Sequence, residues 1–288
     1  MHVFVTGATG WVGAAVVHEL LAAGHRVTGH ARSPDKAAAL SRIGAGVVLA
    51  TLDDLAVLHD AAAAADAVVH TAFDHDFSRF IENCAQDQRV IDALGAALEG
   101  TQRPLLVTSG LLGLRPGADE TDVPDPASPR RSEPTARALA QRGIRAATVR
   151  LPPSVHGVGE HGFVPILIEL ARRTGVSAYL EDAGNHWSGV HRQDAARVYR
   201  FALEQGATRP VYHAIADESV PFKRIAEVIG ARLQLPVVPR GSDHFGWFAR
   251  MAGADMAASS AATRALLRWQ PVGPTLLGDL DQPGYYAA

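Results

Sequence analysis

The run Thr6-Gly7-Ala8-Thr9-Gly10-Trp11-Val12-Gly13 carries three glycines at a spacing of three, after a short apolar stretch and before a helix-forming one. The chemistry such a run supports is phosphate binding. Gly7 permits a tight turn, Gly10 lets the backbone approach a pyrophosphate, and Gly13 lets a helix pack closely on a strand. The phosphate then meets the free amides of Thr9, Trp11, Val12 and their neighbours at a helix N-terminus. The expected ligand is a dinucleotide.

The end of the next strand reads Val27-Thr28-Gly29-His30-Ala31-Arg32-Ser33. An acid placed there would accept the hydroxyls of an adenosine ribose and repel a 2′-phosphate. None is present at 27–34, whereas the Arg32 guanidinium and the Ser33 hydroxyl suit a dianionic phosphate. NADP(H) is therefore expected over NAD. Further along, Leu52-Asp53-Asp54-Leu55 places an acid, Asp53, where it can bond the adenine amine beside Leu55; either aspartate can also cap the following helix.

Short apolar runs at 3–5, 26–29, 46–50, 67–70, 105–108 and 146–150 alternate with helix-patterned segments at 12–23, 35–43, 54–65, 79–98 and 132–142. That alternation predicts an α/β fold, a doubly wound parallel sheet of the Rossmann type over residues 1–150. Beyond residue 150 the rhythm breaks into Gly and Pro clusters, with helices expected at 165–173, 193–204 and 222–233. Residues 151–288 are expected to form mainly a smaller, irregular C-terminal substrate lobe, with some segments returning to the core. Between Arg115 and Pro134 five prolines, with Asp119, Glu120, Asp122 and Asp125, predict a long loop of the kind that is functional or disordered.

The chain has 288 residues, 47% of them apolar and 20% charged, with a formal net charge of -3. This balance, with no long basic run, argues against a nucleic-acid partner. No uninterrupted apolar run is long enough to span a bilayer. The start of the chain carries no basic-then-apolar leader, and the single cysteine, Cys84, forms no internal disulfide, so a cytoplasmic location is expected. No His-x-x-x-His pair with a flanking glutamate supplies a metal site.

Several stretches agree with the glycine loop: Val69-His70-Thr71-Ala72, Val107-Thr108-Ser109-Gly110, Arg150-Leu151-Pro152-Pro153-Ser154-Val155-His156-Gly157, Val190-His191-Arg192-Gln193-Asp194, and Arg268-Trp269-Gln270-Pro271. Together they resemble the extended and atypical short-chain dehydrogenases/reductases, the group that includes sugar-nucleotide epimerases and dehydratases. The resemblance implies that Thr71, Ala72, Phe73, Leu151, Pro152, Pro153 and Val155 also line the cofactor. It places Ser109, with Thr108 as the alternative, at the family's catalytic serine, and Asp87 at its helix-four asparagine. Members commonly dimerise through the helices after the fourth and fifth strands, so a homodimer is expected.

The family's Tyr-x-x-x-Lys pair is missing. The only lysines are Lys36 and Lys223, preceded at that spacing by Arg32 and Ser219. Counted back from Arg150, the pair's place falls on Pro129-Arg130-Arg131-Ser132-Glu133. Reduction of a ketone creates an alkoxide, so another donor is required within reach of that oxygen. Histidine suits the task, and His75 and His156, which follow strands, are the candidates. The expected function is an NADP(H)-dependent oxidoreductase reducing a small or medium organic carbonyl compound. Two other readings share the fold: an NADP-dependent epimerase or dehydratase, and a catalytically inactive nucleotide-sensing or interaction protein.

Overall fold

The computed structural model describes residues 1–181 and 184–286. The expected second lobe over 151–288 therefore includes four residues, 182–183 and 287–288, that lie outside the described residues. The first half runs β1 (His2–Thr6), α1 (Trp11–Ala22), β2 (Arg26–Ala31), α2 (Pro34–Arg42), β3 (Gly46–Leu49), α3 (Leu55–Ala63), β4 (Ala67–His70), α4 (Phe80–Ala96), β5 (Leu105–Gly110), α5 (Ser132–Gln141) and β6 (Ala146–Leu151). The second half runs β7 (Ser154–His156), α6 (Phe163–Thr174), β8 (Ser177–Leu180), β9 (His186–His191), α7 (Arg192–Glu204), β10 (Val211–His213), β11 (Asp217–Pro221), α8 (Phe222–Leu233) and β12 (Val237–Arg240), closing with the short helices α9 (Ala249–Gly253), α10 (Ala261–Leu267) and α11 (Leu276–Leu280).

Seven parallel strands form one sheet in the order β10-β6-β5-β4-β1-β2-β3. Val3 and Val5 point to one face, among residues of α1, α2 and α7, while Phe4 points to the other, among residues of α3, α4 and α5. Burial on both faces is what makes such strands read as unbroken apolar runs. The chain leaves β1 toward β2 and β3, then returns to β4 and winds the other way. The reversal opens a crevice between β1 and β4, where doubly wound sheets bind ligands.

The second half contributes more to that sheet than its irregular composition announces. α7 packs against α1, and β10 pairs with β6 at the sheet's edge. The remaining strands make a three-stranded sheet, β11-β9-β7, and a parallel pair, β12-β8. These surround a separate apolar core of α6, α8 and the 245–256 segment, with Trp187 fully buried against Phe222 at 5.0 Å between ring centres.

The proline-rich stretch between β5 and α5 contains no helix or strand over 111–131. It is held by Arg150, the largest charged side chain with no exposed surface. Its Nε and Nη2 donate to the two Glu133 oxygens, both at 2.7 Å; Nη2 also donates to the Asp122 carbonyl (2.5 Å), and Nη1 to the Asp119 carbonyl (3.2 Å) and His213 Nε2 (3.0 Å). A guanidinium has five N–H groups, and here all five have acceptors. His213 stays neutral because burial and then the Arg150 charge lower its pKa; its Nδ1–H donates to the Ser259 carbonyl at 2.6 Å.

Arg150→Met leaves the Glu133 carboxylate buried without its main partner, and urea unfolding is expected to show a loss of about 3–5 kcal/mol. Replacing both ends, Arg150→Met with Glu133→Leu, should recover much of it. A single variant as stable as the wild type contradicts this account of the loop.

Candidate active site

The glycine loop joins β1 to α1 at the crevice, and its shape leaves no room for side chains. Gly7 has φ +64°, and a Cβ there would lie 2.7 Å from the Ala72 amide nitrogen. A Cβ on Gly13 would lie 2.1 Å from the Gly7 carbonyl oxygen and 2.6 Å from Thr71 Oγ1. Thr71 donates its hydroxyl to the Thr6 carbonyl at 2.7 Å, so the turns after β1 and β4 are tied together. Gly10 is the N-cap of α1 and supplies no capping side chain, which leaves the first-turn amides of Trp11 and Val12 without an intrahelical partner, just after the Thr9 amide in the turn. Trp11 donates Nε1–H to the Val155 carbonyl at 2.7 Å, joining the loop to the turn after Leu151, Pro152 and Pro153. This cradle fits a dinucleotide pyrophosphate.

At the end of β2, Arg32 is exposed and pairs with no carboxylate among the described residues. Ser33 is the N-cap of α2, its Oγ accepting from the Lys36 amide at 3.4 Å, and this leaves the hydroxyl proton free to donate. Asp53 and Asp54 divide their work. Asp54 accepts from the Thr51 amide and hydroxyl, both at 2.7 Å, while Asp53 accepts from Gln86 at 2.9 Å in an open groove against α4, next to Leu55. Neither side chain caps α3.

A buried polar chain crosses the site. Thr6 Oγ1 lies 2.7 Å from His70 Nδ1, His70 Nε2 lies 3.0 Å from Asp87 Oδ1, and Ser132 donates its hydroxyl to Asp87 Oδ2 at 2.5 Å. Arg130 then donates Nε–H to Ser132 Oγ at 3.0 Å. Burial acts to raise the Asp87 pKa, but the His70 bond, the charges of His70 and Arg130, and the Ser132 bond outweigh it and hold it below the usual carboxylate range. Asp87 is therefore an ionised acceptor inside the protein.

The sequence candidates fall in different surroundings. Ser109 ends β5 beside this chain, 9% exposed, and makes no side-chain hydrogen bond among the described residues. Thr108, its alternative, has its hydroxyl taken up between the His70 carbonyl and the Tyr199 hydroxyl, both at 2.8 Å. Tyr199 itself is fully buried, which pushes its ionisation up. His75 sits exposed on the loop after β4, edge-on to Phe73 at 5.3 Å; partial desolvation by its neighbours and then the charge of Arg130 lower its pKa, so the neutral ring is favoured at pH 7. His156, in the three-stranded sheet, has no exposed surface and bonds Asp279 at 2.8 Å.

Over residues 7–150 the chain matches the family model described as NAD(P)H-binding. An uncharacterized protein of Schizosaccharomyces pombe is 44% identical, over 99% of this chain and all of that one. The chain belongs to the NAD(P)H-binding family. Another relative, a 4-hydroxy-2-methyl-3-oxo-4-farnesyl-3,4-dihydroquinoline-1-oxide ketoreductase of Stigmatella aurantiaca, is 25% identical over 85% of this chain and 80% of that one. Among solved structures, the dTDP-glucose 4,6-dehydratase of Streptomyces venezuelae with NAD bound has TM-score 0.77 at 19% identity, covering 99% of this chain and 97% of that one. The fold is thus shared with an epimerase-like and a dehydratase protein of known structure, and the chain is an NAD(P)H-binding protein. Among the described residues no helix is long and apolar enough to cross a membrane.

In this NAD(P)H-binding chain, the two positions expected, by counting back from Arg150, to hold a Tyr-x-x-x-Lys pair have other surroundings. Glu133 turns inward to Arg150, and Pro129 lies in the loop before α5. Arg130 was not among the sequence candidates. Its guanidinium lies 3.9 Å over the Phe73 ring, with Nη2 directed to the Thr108 carbonyl at 3.4 Å. Adjacent Arg130-Arg131 reads as an ordinary basic loop pair, and only the fold shows that one of the two enters the cleft. Beyond Phe73, Phe77 stacks on Trp247 at 5.4 Å and approaches Phe163 at 6.1 Å, so the loop after β4 meets the second lobe through aromatic rings.

At the His156 end, Glu160 has one carboxyl oxygen buried without a partner. Burial, then repulsion from Asp279, pushes its pKa up to about 8. The folded state therefore holds a proton that the unfolded chain releases near pH 4.5. Glu160's contribution to stability is complete below that pH and is lost as pH rises through about 8. Glu160→Gln should flatten the fall in melting temperature over this window and melt a few degrees higher than the wild type at pH 9, about 2–4 °C for each kcal/mol removed. Parallel melting curves for the two proteins across that range contradict the assignment.

Proposed function

We propose that this protein is an NADPH-dependent reductase of a small or medium organic carbonyl compound. The observation that carries the cofactor choice is the end of β2, where Arg32 is exposed and unpartnered, Ser33 keeps a free hydroxyl proton, and no acid stands at 27–34. When bound, the reduced nicotinamide supplies two electrons and a hydrogen to the carbonyl carbon.

The chain's residues do the rest. The α1 amides hold the pyrophosphate, Arg32 and Ser33 hold the 2′-phosphate, and Asp53 meets the adenine edge. Ser109, with a free hydroxyl at the end of β5, orients the carbonyl group. His75, neutral at pH 7, passes a proton between solvent and the new alkoxide rather than donating as an imidazolium. The aromatic lip of Phe73, Phe77, Phe80 and Trp247 favours a substrate with a flat apolar body. A relative that reduces a ketone on a quinoline-derived ring is in keeping with that lip.

Calorimetric titration should give a Kd for NADPH at least tenfold below that for NADH. Arg32→Ala should erase most of the difference by removing a charge-assisted contact of about 1.5–3 kcal/mol. Loss of nicotinamide absorbance on adding ketones or aldehydes is the expected activity. Equal affinities of the wild type for both cofactors contradict the NADPH reading.

A further inference from the structure

Arg130 is held differently from the fully buried Arg150. Arg150, one strand away, has an acceptor for each of its five N–H groups. Arg130 is half-buried, yet no carboxylate lies within ion-pair distance of it among the described residues, and its Nη1 has no acceptor there. A cation taken partly out of water and left without a counter-charge raises the free energy of the folded protein unless something else meets it. What surrounds it is a cleft wall. Phe73 lies under the guanidinium, Thr108 O and Ser132 Oγ fix two of its nitrogens, and the end of β5 with Ser109 is adjacent.

Its aim is set from below. Ser132 Oγ, the acceptor of Arg130 Nε–H, itself donates to Asp87, which is anchored in turn by His70 and, through His70, by Thr6 of the glycine loop. The charge of Arg130 reaches the groups around it, lowering the pKa of both His75 and Asp87. From Phe73 under the guanidinium the rings of Phe80, Phe77 and Trp247 follow in successive contact, and none of the four belongs to the apolar cores; Phe77 is 37% and Trp247 64% exposed. A run of touching rings, two of them exposed, leading to a cation that has no carboxylate partner matches a ligand that is flat, apolar and oxygen-bearing.

Resting on the reductase reading, we propose that Arg130 receives the carbonyl oxygen of an aryl ketone or aldehyde, and that Ser132 and Asp87 are the positioning residues that aim it. The step balances without a tyrosine. The carbonyl carbon gains a hydrogen with its electron pair from the reduced nicotinamide, which is oxidised to NADP⁺, and the C=O π pair moves onto oxygen. Two Arg130 N–H groups stabilise that oxygen while the guanidinium keeps its protons. The alkoxide then takes a proton from water, relayed through the neutral His75 ring, which leaves hydroxide to the buffer, and the product is the alcohol.

Benzoate, a flat ring bearing an oxyanion, is the probe, titrated calorimetrically into the protein with and without saturating NADP⁺. Wild type should bind it in the presence of NADP⁺. Arg130→Met should weaken binding at least tenfold and Arg130→Lys by less, with melting temperature and NADPH affinity unchanged. Ser132→Ala should weaken it about threefold or more, and Ser132→Thr, which restores the hydroxyl, should recover it. Adding guanidinium ion to Arg130→Ala should restore benzoate binding, which a merely structural role for Arg130 would not produce. Benzoate binding equally to wild type and Arg130→Met, or not binding to the wild type at millimolar concentration, overturns the assignment. Arg130-dependent benzoate binding in a protein that oxidises no NADPH with any carbonyl compound overturns the reductase reading and leaves Arg130 as the oxygen-binding residue.

Discussion

The Arg150 guanidinium, at the C-terminal end of β6 with every N–H paired, joins three parts of the chain. Glu133 belongs to the first turn of α5, the Asp119 and Asp122 carbonyls to the proline-rich loop, and His213 to the edge strand β10. A buried charge is tolerated only when its donors are fully met, and meeting all five requires these segments to converge. The loop cannot contribute strand pairs, because its prolines lack donors. It is given a fixed path instead by accepting from Arg150 and by Glu120, whose carboxylate accepts from the amide and hydroxyl of Thr263 in α10. The start of α5 is set by the same contact, and with it the places of Ser132 and Arg130.

A second constraint works from the opposite side of the crevice. Gly7 and Gly13 admit no side chain, so the turn after β1 presses against the turn after β4 at Thr71 and Ala72. The contact holds the amide-lined mouth of α1 open toward solvent. It also sets Thr6 against His70, the first link of the chain that ends at Arg130. The glycine loop and Arg130 are thus connected through a continuous chain of hydrogen bonds, Thr6 to His70 to Asp87 to Ser132 to Arg130.

The first half of this fold was legible in the sequence because strands buried on both faces must be apolar throughout, while the helices between them keep a 3.6-residue pattern. The glycine spacing is legible for a related reason, since only glycine fits at 7 and 13. The second half was harder. β7 and β10 are three residues each, β11 carries Asp217, Glu218 and Pro221, and nothing local announces that β10 pairs with β6. Helices 165–173, 193–204 and 222–233 were read within three residues of their observed bounds, because amphipathic helices carry their own signal. In the site, Asp87 was legible by its place on a helix. Glu133 was visible as a departure from the short-chain pattern, but its partner lies 17 residues on. Arg130 was illegible, because its meaning lies in what it is not paired with, and pairing is a property of the fold.

The central claim is that the nucleotide held at the β1–β4 crevice is consumed as a reductant of a carbonyl carbon. A single-turnover reaction with NADPH carrying deuterium at nicotinamide C4, in each of its two stereoisomers, tests it directly against aryl ketones and aldehydes, with the product read by mass spectrometry. The account predicts one deuterium on the alcohol carbon of the product per NADPH oxidised, from one stereoisomer only. Nucleotide recovered fully reduced across the whole set, or an alcohol free of deuterium from both stereoisomers, contradicts it.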